Sequence, residues 1–180
     1  HLMTRTVLIT GASSGIGAAF ADVFAANGFD LVLTARREDR LRAVAERLTR
    51  VHGRRVQVIV ADLAQRDACA RLCDELSARR ITIDALVNNA GYGVPGAYVK
   101  SPWERHDAFL QVLVVAVTEL TYRLLPGMIE RGYGRIVNVA SLAGLMPAAA
   151  GHTLYAAAKS FLIKFSEALA HEVRAQGVHV

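Results

Sequence analysis

A tyrosine and a lysine four residues apart are the side chains in this sequence best suited to acid–base chemistry. Tyr155 and Lys159 lie in the run Tyr-Ala-Ala-Ala-Lys, and residues four apart in a helix share one face. A neighbouring cation favours phenolate over phenol and lowers the pKa of a tyrosine from about 10 towards the range useful in catalysis. Ser141, fourteen residues upstream, offers a hydroxyl that could hold a substrate oxygen. The same spacing occurs on solvated helices, so the interpretation needs support from elsewhere in the chain.

A glycine-rich turn near the amino end provides that support. Residues 4–10 form a short β-branched run that predicts a buried strand, and residues 18–26 are typical of a helix. Between them, Gly11 can make a tight turn, Gly15 lets the backbone approach a pyrophosphate, and Gly17 allows close helix–strand packing. Free amides at the helix N-terminus then face the phosphates, and an ordinary flexible turn is the alternative. The predicted phosphate-binding turn comprises Gly11, Ser13, Ser14, Gly15, Ile16 and Gly17.

Composition and charge restrict the class of protein. The 180 residues are 53% apolar, which suits one domain with a well-buried core. No apolar run reaches the length of a membrane span and no signal peptide is recognised, so we expect a cytoplasmic protein without a membrane partner. The net charge of +5 comes with arginines spread along the sequence, which argues against a nucleic-acid partner. Cys69 and Cys73 lie four apart with no His or Cys cluster nearby, so no metal site is expected.

Strand and helix patterns alternate along the chain at nearly constant spacing. Strands are predicted at 4–10, 30–34, 56–60, 84–88, 135–140 and 178–180, and helices at 18–26, 38–52, 65–78, 102–131 and 152–176. Repeated strand–helix units with apolar strands imply an α/β fold, a doubly wound parallel sheet with helices on both faces and ligands beyond the carboxyl ends of its strands. We interpret residues 1–3 as a cloning remainder with the initiator Met, and residues 4–180 as one domain. Because the sequence stops within a predicted strand, we expect the C-terminal strands of this domain to be missing.

In combination, these motifs resemble the short-chain dehydrogenase/reductase family in its compact, non-extended type. The likeness covers the chain from Thr4 onward. Its motifs occur in the family's order, namely Thr10–Gly17, Asp62-Leu63, Asn88–Gly91, Ser141 and Tyr155–Lys159. The resemblance implies a Rossmann-type dinucleotide-binding domain in which Tyr155 exchanges a proton with the substrate oxygen. It further implies that Ser141 hydrogen-bonds that oxygen, and that Lys159 stabilises the phenolate and binds the nicotinamide ribose.

The resemblance also bears on the cofactor. It implies that Asp62 accepts a hydrogen bond from the adenine amine, with Leu63 beside the ring. The adenosine and ribose would be lined by Asn89, Ala90 and Gly91. Family members that prefer NAD usually carry an acid at the end of the second strand, where this chain has Arg36 and Arg37. A 2′-phosphate needs cations, so we expect NADP(H) to be preferred over NAD(H), although two solvated arginines at a helix start are the alternative.

Two features depart from the family's pattern. Leu113 stands where the family has an asparagine that holds a water linking the lysine to solvent, and leucine can neither donate nor accept. We therefore expect Leu113→Asn to raise turnover. The family's Pro-Gly turn, substrate loop and final strand are not in these residues, so we expect an incomplete substrate pocket. His152 and Tyr92 could face substrate, with a solvated loop histidine the more ordinary interpretation of His152.

The leading hypothesis is an NADP(H)-dependent oxidoreductase that transfers hydride between the nicotinamide cofactor and a small carbonyl or alcohol substrate. An NADP(H)-binding protein with little or no catalysis is the alternative, favoured by Leu113 and the missing C-terminal region. A different reaction on the same fold is a third hypothesis, because fold does not determine function. In this family the long helix and the Tyr-bearing helix commonly pair across a two-fold axis. Both are apolar on more than one side here, so we expect a homodimer or homotetramer.

Overall fold

A computed structural model describes residues 3–180, and the interpretation of His1 and Leu2 lies outside the described residues. Six strands form one sheet, and they are β1 (Thr6–Thr10), β2 (Asp30–Ala35), β3 (Val56–Val60), β4 (Ala85–Asn88), β5 (Gly134–Asn138) and β6 (Val178–His179). Every neighbouring pair runs parallel, in the order β3-β2-β1-β4-β5-β6. The order reverses between β1 and β4, which is the point where doubly wound sheets open a ligand crevice. The predicted Rossmann-type fold is therefore confirmed.

Six α-helices connect the strands. They are α1 (Gly15–Ala26), α2 (Glu38–His52), α3 (Ala68–Ala78), α4 (Trp103–Leu110), α5 (Ala116–Arg131) and α6 (Thr153–Val173). Single 3-10 turns lie at Tyr98–Lys100, Leu142–Gly144 and Arg174–Gln176. The prediction for α3 was wrong at its start, because Gln65 N–H donates to Asp62 O and Ala68 N–H donates to Gln65 O in a turn that replaces the first predicted helical residues.

The centres of the inner strands are apolar because both faces of the sheet are covered. Val7 and Ile9 point to the layer formed by α1 and α2, where they pack with Ala21, Leu33, Leu41 and Leu48. Leu8 points to the opposite layer, formed by α3 to α6, where the core includes Val32, Leu72, Leu86, Phe109 and Leu169. Each fully buried leucine of these layers contributes about 1.5–3 kcal/mol of transfer free energy.

The long predicted helix is continuous from Trp103 to Arg131, with one irregular turn. At Gln111–Val115 the helix is π-helical, and Ala116 N–H donates to Gln111 O, five residues back. By length and composition this helix is long and apolar enough to cross a membrane, so the expectation that no such segment exists was wrong. In the fold, 44% of its most apolar window is buried, and Phe109, Leu113 and Leu120 of this helix lie in the core.

Strand β6 is held beside β5 by a close approach of two backbones. Gly134 N–H donates to Gly177 O over 3.2 Å, just before β6 begins. Gly177 has a φ of +79°, and a Cβ added there would collide with the Gly132 carbonyl oxygen and lie 2.7 Å from its carbon. Gly132, at the end of α5, is also left-handed with a φ of +66°. Only glycine satisfies both the conformation and the space at residue 177.

We expect Gly177→Ala to destabilise the fold more than Gly53→Ala. Gly53 caps α2 with a φ of +63° and has open space around it, so alanine there meets only the backbone penalty of about 1 kcal/mol. At Gly177 the same penalty adds to a collision with backbone atoms, for a total of about 2–4 kcal/mol. Urea denaturation of both variants measures the difference. Equal losses would contradict this account of β6.

Candidate functional site

A cleft of about 740 Å³ opens at the carboxyl ends of the strands, around the switch point. Its lining includes most of the predicted site residues, namely Gly11, Ser13, Ser14, Ile16, Arg36, Arg37, Asp62, Leu63, Asn89, Ala90, Gly91, Tyr155 and Lys159. Gly15, Gly17 and Ser141 are not among the lining residues. The cleft is also lined by Thr34, Val112 and Val139, which the sequence patterns did not single out. Tyr92 and His152, which could face substrate, line it as well.

The glycine turn after β1 is packed so closely that side chains do not fit. A Cβ added at Gly17 would collide with the Gly11 carbonyl oxygen and lie 2.5 Å from Asn89 Nδ2. A Cβ at Gly11, which has a φ of +61°, would lie 2.9 Å from Ala90 Cα. The Asn89 amide donates to Gly11 O over 3.1 Å and to Thr10 O over 3.3 Å. Asn89, in the loop after β4, therefore fixes the position of the glycine turn. This is a structural role in addition to lining the cleft.

Thr10 begins the glycine motif, but the sequence patterns assigned its side chain no role. Its buried hydroxyl accepts from Asn89 N–H and Ala90 N–H, each over 3.0 Å. The hydroxyl proton is directed to Val87 O over 3.4 Å. Through these bonds the end of β1 fixes the loop that follows β4. Only the position of a threonine at the last residue of a central strand could have indicated this role.

The residues at the start of α1 fit a dinucleotide phosphate group. Gly15 has a φ of +57°, and no atom lies within 4 Å of the place where its Cβ would be. Ser14 precedes the helix in an extended conformation and its side chain does not cap it. The first amides of α1 are thus free to bind an anion, which the positive end of the helix dipole also favours. The space and the donors both match a pyrophosphate.

Two exposed arginines lie at the far end of the cleft. Arg36 follows β2, and Arg37 is the residue before α2, as expected for a helix start. Among residues 3–180 neither takes part in an ion pair, whereas the adjacent Glu38 pairs with Arg42. Their guanidinium groups are consequently available to an anionic ligand. Asp62 follows β3, the strand paired with β2, and its Oδ1 accepts from Ala64 N–H over 3.0 Å.

Lys159 is buried beside Tyr155, as the four-residue spacing predicted. The lysine side chain is only 7% exposed, and its Nζ lies 5.7 Å from the centre of the Tyr155 ring. Nζ donates to Val139 O over 2.8 Å, and no carboxylate among the described residues forms an ion pair with it. Burial lowers the pKa of Lys159 from its ordinary value of 10.5. The tyrosine therefore has a desolvated ammonium group next to its ring.

Ser141 begins a 3-10 turn that is fixed against α6. Its Oγ accepts from Ala143 N–H over 3.2 Å, which leaves the hydroxyl proton free to be donated. Ser160 of α6 donates to Gly144 O over 2.6 Å. A Cβ at Gly144 would lie 2.8 Å from the backbone carbon of Lys159, so glycine is required for this contact. The turn therefore has a fixed position relative to the helix that carries Tyr155.

Leu113 and His106 are both buried near the site. Leu113 is fully buried in the π-helical turn, and its Cγ would lie 3.6 Å from a Cβ at Gly91. His106 Nε2 lies 2.9 Å from Tyr98 O, and the two rings stack at 4.6 Å. Its Nδ1 is the one buried side-chain nitrogen or oxygen without a hydrogen-bond partner in the described part of the chain. A small cavity between His106 and Tyr155 lies beside this group.

The cysteines have no role in the site. Cys69 is buried, its Sγ lies 3.8 Å from Ala116 O, and burial raises its pKa to about 12. A thiol with so high a pKa is a poor nucleophile and metal ligand. Within residues 3–180, no group of three or more His, Cys, Asp or Glu side chains is placed to hold a metal ion.

Comparison with known proteins gives a consistent result. Residues 5–180 match the family model described as short chain dehydrogenase. The chain is 34% identical to a short chain dehydrogenase of Pseudocercospora fijiensis, over 99% of this chain but only 58% of that relative's length. It is similar to the solved short-chain dehydrogenase from Sphingobium yanoikuyae in complex with NADPH, with 38% identity, a TM-score of 0.90, and 98% and 68% of the two chains covered. It is also similar to the bulky-bulky ketone specific alcohol dehydrogenase from Comamonas testosteroni, with 37% identity, a TM-score of 0.91, and 98% and 70% covered.

We expect Lys159→Met to stabilise the fold in a pH-dependent manner. Below the lowered pKa of Lys159, the folded and unfolded states both carry the charge, and its burial costs stability in full. As the pH rises from that pKa towards 10.5, the folded side chain becomes neutral and the cost disappears. Methionine should therefore raise the free energy of unfolding by on the order of 1 kcal/mol at the low end of this range, with a gain that shrinks as the pH rises.

Urea denaturation at several pH values tests this expectation. Lys164→Met is the matched control, because Lys164 lies on the same helix with an exposed side chain. A gain that is the same at every pH, or one that Lys164→Met reproduces, would mean that burial of the Lys159 charge is not its cause.

Proposed function

The chain belongs to the short-chain dehydrogenase/reductase family, and on that basis we propose that it is an NADP(H)-dependent oxidoreductase acting on a carbonyl/alcohol pair. The observation that carries the proposal is the buried Lys159 ammonium, 5.7 Å from the ring of Tyr155, in the wall of a cleft that begins at a phosphate-binding helix terminus. Burying a cation without an anionic partner costs free energy. A neighbouring group that becomes anionic during a reaction offsets this cost.

The side chains divide the chemistry of carbonyl reduction among them. Tyr155 donates its hydroxyl proton to the substrate oxygen, and the Lys159 ammonium stabilises the phenolate that remains. Ser141 Oγ accepts from Ala143 N–H, which leaves its hydroxyl proton to be donated to the same oxygen. A bound nicotinamide supplies the hydride, so the residues of the protein need only orient the substrate and move one proton.

NADP(H) fits this cleft better than NAD(H). The first amides of α1 match the pyrophosphate, and Asp62 and Leu63 line the region for adenine. Arg36 and Arg37 are exposed and unpaired in the described residues, which suits them to a 2′-phosphate. The solved neighbour from Sphingobium yanoikuyae carries NADPH, which supports the same choice.

The proposal includes a small-molecule carbonyl or alcohol substrate and a cytoplasmic homodimer or homotetramer. The two long helices expose apolar side chains that support such an assembly. Tyr122 of α5 is 79% exposed, and Phe161 of α6 is exposed while stacked on Phe165 at 6.0 Å. Large apolar groups of this kind mark subunit contacts when they recur on neighbouring helices.

An NADP(H)-binding protein with little catalysis is a second candidate, favoured by Leu113. The fully buried leucine offers no hydrogen bond to a water near Lys159, so one anchor of a proton route is absent. The chain spans 58% of the length of its Pseudocercospora fijiensis relative.

Oxidation of NADPH with a panel of ketones and aldehydes tests the proposed function. We expect turnover by the wild type and at least a roughly hundredfold loss of kcat in Tyr155→Phe, because general acid catalysis contributes about 10²–10⁴-fold. Tyr122→Phe is the matched control, since that hydroxyl lies on an exposed face of α5. Binding of NADPH without turnover on any carbonyl would favour the second candidate.

We expect Arg36→Asp to shift the cofactor preference towards NADH. The substitution removes a cation from the cleft and adds a charge that repels a 2′-phosphate. The ratio of kcat/KM for NADPH to that for NADH should fall by roughly 100-fold or more. Arg40→Asp makes the same charge change at an exposed residue of α2 outside the cleft, and should leave the ratio within about threefold. An unchanged ratio in Arg36→Asp would reject the assignment.

We expect Leu113→Asn to raise kcat, because an amide at this buried position can hold a water near Lys159. The substitution buries a polar group, so a loss of about 1–3 kcal/mol in unfolding free energy should accompany the gain. Leu113→Ala controls for the lost packing without adding an amide. If both variants lower kcat equally, Leu113 has only a packing role and the proton route does not pass through this position.

A further inference from the structure

Two hydrogen bonds attach α6 to the end of β5. Lys159 Nζ donates to Val139 O over 2.8 Å, and Asn138 Nδ2 donates to Ser166 Oγ over 2.9 Å. Asn138 and Val139 are consecutive, while Lys159 and Ser166 are seven residues apart, which places them on one face of the helix, two turns from each other. Two bonds at different heights along the helix restrict both its sliding and its rotation relative to β5.

The Asn138 amide cannot turn away from α6. Its Oδ1 accepts from Asn88 Nδ2 over 2.9 Å, which leaves the amide nitrogen to face Ser166. Asn88 is itself only 3% exposed, and the same nitrogen lies 3.4 Å from Thr121 Oγ1 on α5. In addition, Val139 N–H donates to Asn88 O over 3.0 Å. The strand side of the attachment is therefore rigid.

From this arrangement we infer that Ser166 is a positioning residue for Lys159, acting through Asn138. Ser166 does not line the cleft, so it acts on neither cofactor nor substrate directly. Removal of its hydroxyl leaves Asn138 Nδ2 without an acceptor and takes away the second attachment of α6. The helix can then shift, and the ammonium of Lys159 and the ring of Tyr155, both carried by α6, move together relative to Val139 O and to the cleft. The kinetic consequences of this inference rest on the proposed function.

Kinetics of Ser166→Ala, Ser166→Thr and Thr118→Val test the inference. Thr118 is the matched control, because its hydroxyl bonds only to carbonyls of its own helical segment, those of Val114 and Val115. We expect Ser166→Ala to lower kcat roughly tenfold while KM for NADPH changes less than about twofold, because displacement of a catalytic group by about 1 Å reduces rate more than binding. Ser166→Thr keeps the hydroxyl and should restore kcat. An unchanged kcat in Ser166→Ala, or an equal loss in Thr118→Val, overturns the inference.

A double variant tests the route through Asn138. If Ser166 acts through that amide, Asn138→Ala combined with Ser166→Ala should lower kcat no further than the worse single variant. Losses that multiply would show that the two residues act separately, and the inference would be wrong.

The position of Lys159 can also be measured without turnover. The chain has only three lysines, and Lys100 and Lys164 are exposed, so in protein labelled with ¹⁵N-lysine one slowly exchanging ammonium resonance belongs to Lys159. We expect this resonance in the wild type, in Ser166→Thr and in Thr118→Val, and its loss in Ser166→Ala. A resonance that persists unchanged in Ser166→Ala overturns the inference. If no carbonyl is reduced by the wild type, yet the resonance is lost only in Ser166→Ala, the proposed function fails and the inference stands.

Discussion

The cleft depends on a contact in which two glycines and an asparagine bring α1 against the ends of β1 and β4. Gly17 leaves room for the Gly11 carbonyl, and the Asn89 amide binds that carbonyl from the neighbouring strand. Because the connections from β1 and β4 leave the sheet in opposite directions, a crevice opens above this contact. A larger side chain at residue 17 would separate helix from strand, and the first amides of α1 would lose their position.

The same region contains an unfavourable electrostatic feature, the ammonium of Lys159. A charge that is 7% exposed and bonded to one carbonyl gives up more hydration than it recovers, which is why its pKa is lowered. The two apolar layers on either side of the sheet supply the stability that tolerates this cost. Such local penalties are concentrated where a protein performs chemistry. The reason is that only interactions stronger in the transition state than in the ground state lower the activation free energy.

The sequence predicted features with a local chemical pattern and missed those formed by distant residues. Helix α2 was predicted to the residue, because acidic residues begin it and a left-handed Gly53 ends it. The start of α3 was misplaced because a turn at Asp62 competes with helix for the same backbone groups. The Tyr155–Lys159 pairing follows from helical spacing alone. The roles of Thr10, Gly144 and Asn138 do not, because each depends on a partner at least 15 residues away that only the folded chain brings near.

The π-helical turn at Gln111–Val115 has a consequence for the angular phase of the long helix. One additional residue in a turn sets every following side chain back by about 100° around the axis, compared with an uninterrupted α-helix. The segment before the turn directs Phe109 into the core, and the segment after it directs Thr121 to the amide of Asn88. An uninterrupted α-helix of the same sequence could not satisfy both directions at once. The irregular turn therefore acts as a phase correction, which keeps the buried side chains before and after it in the same core layer.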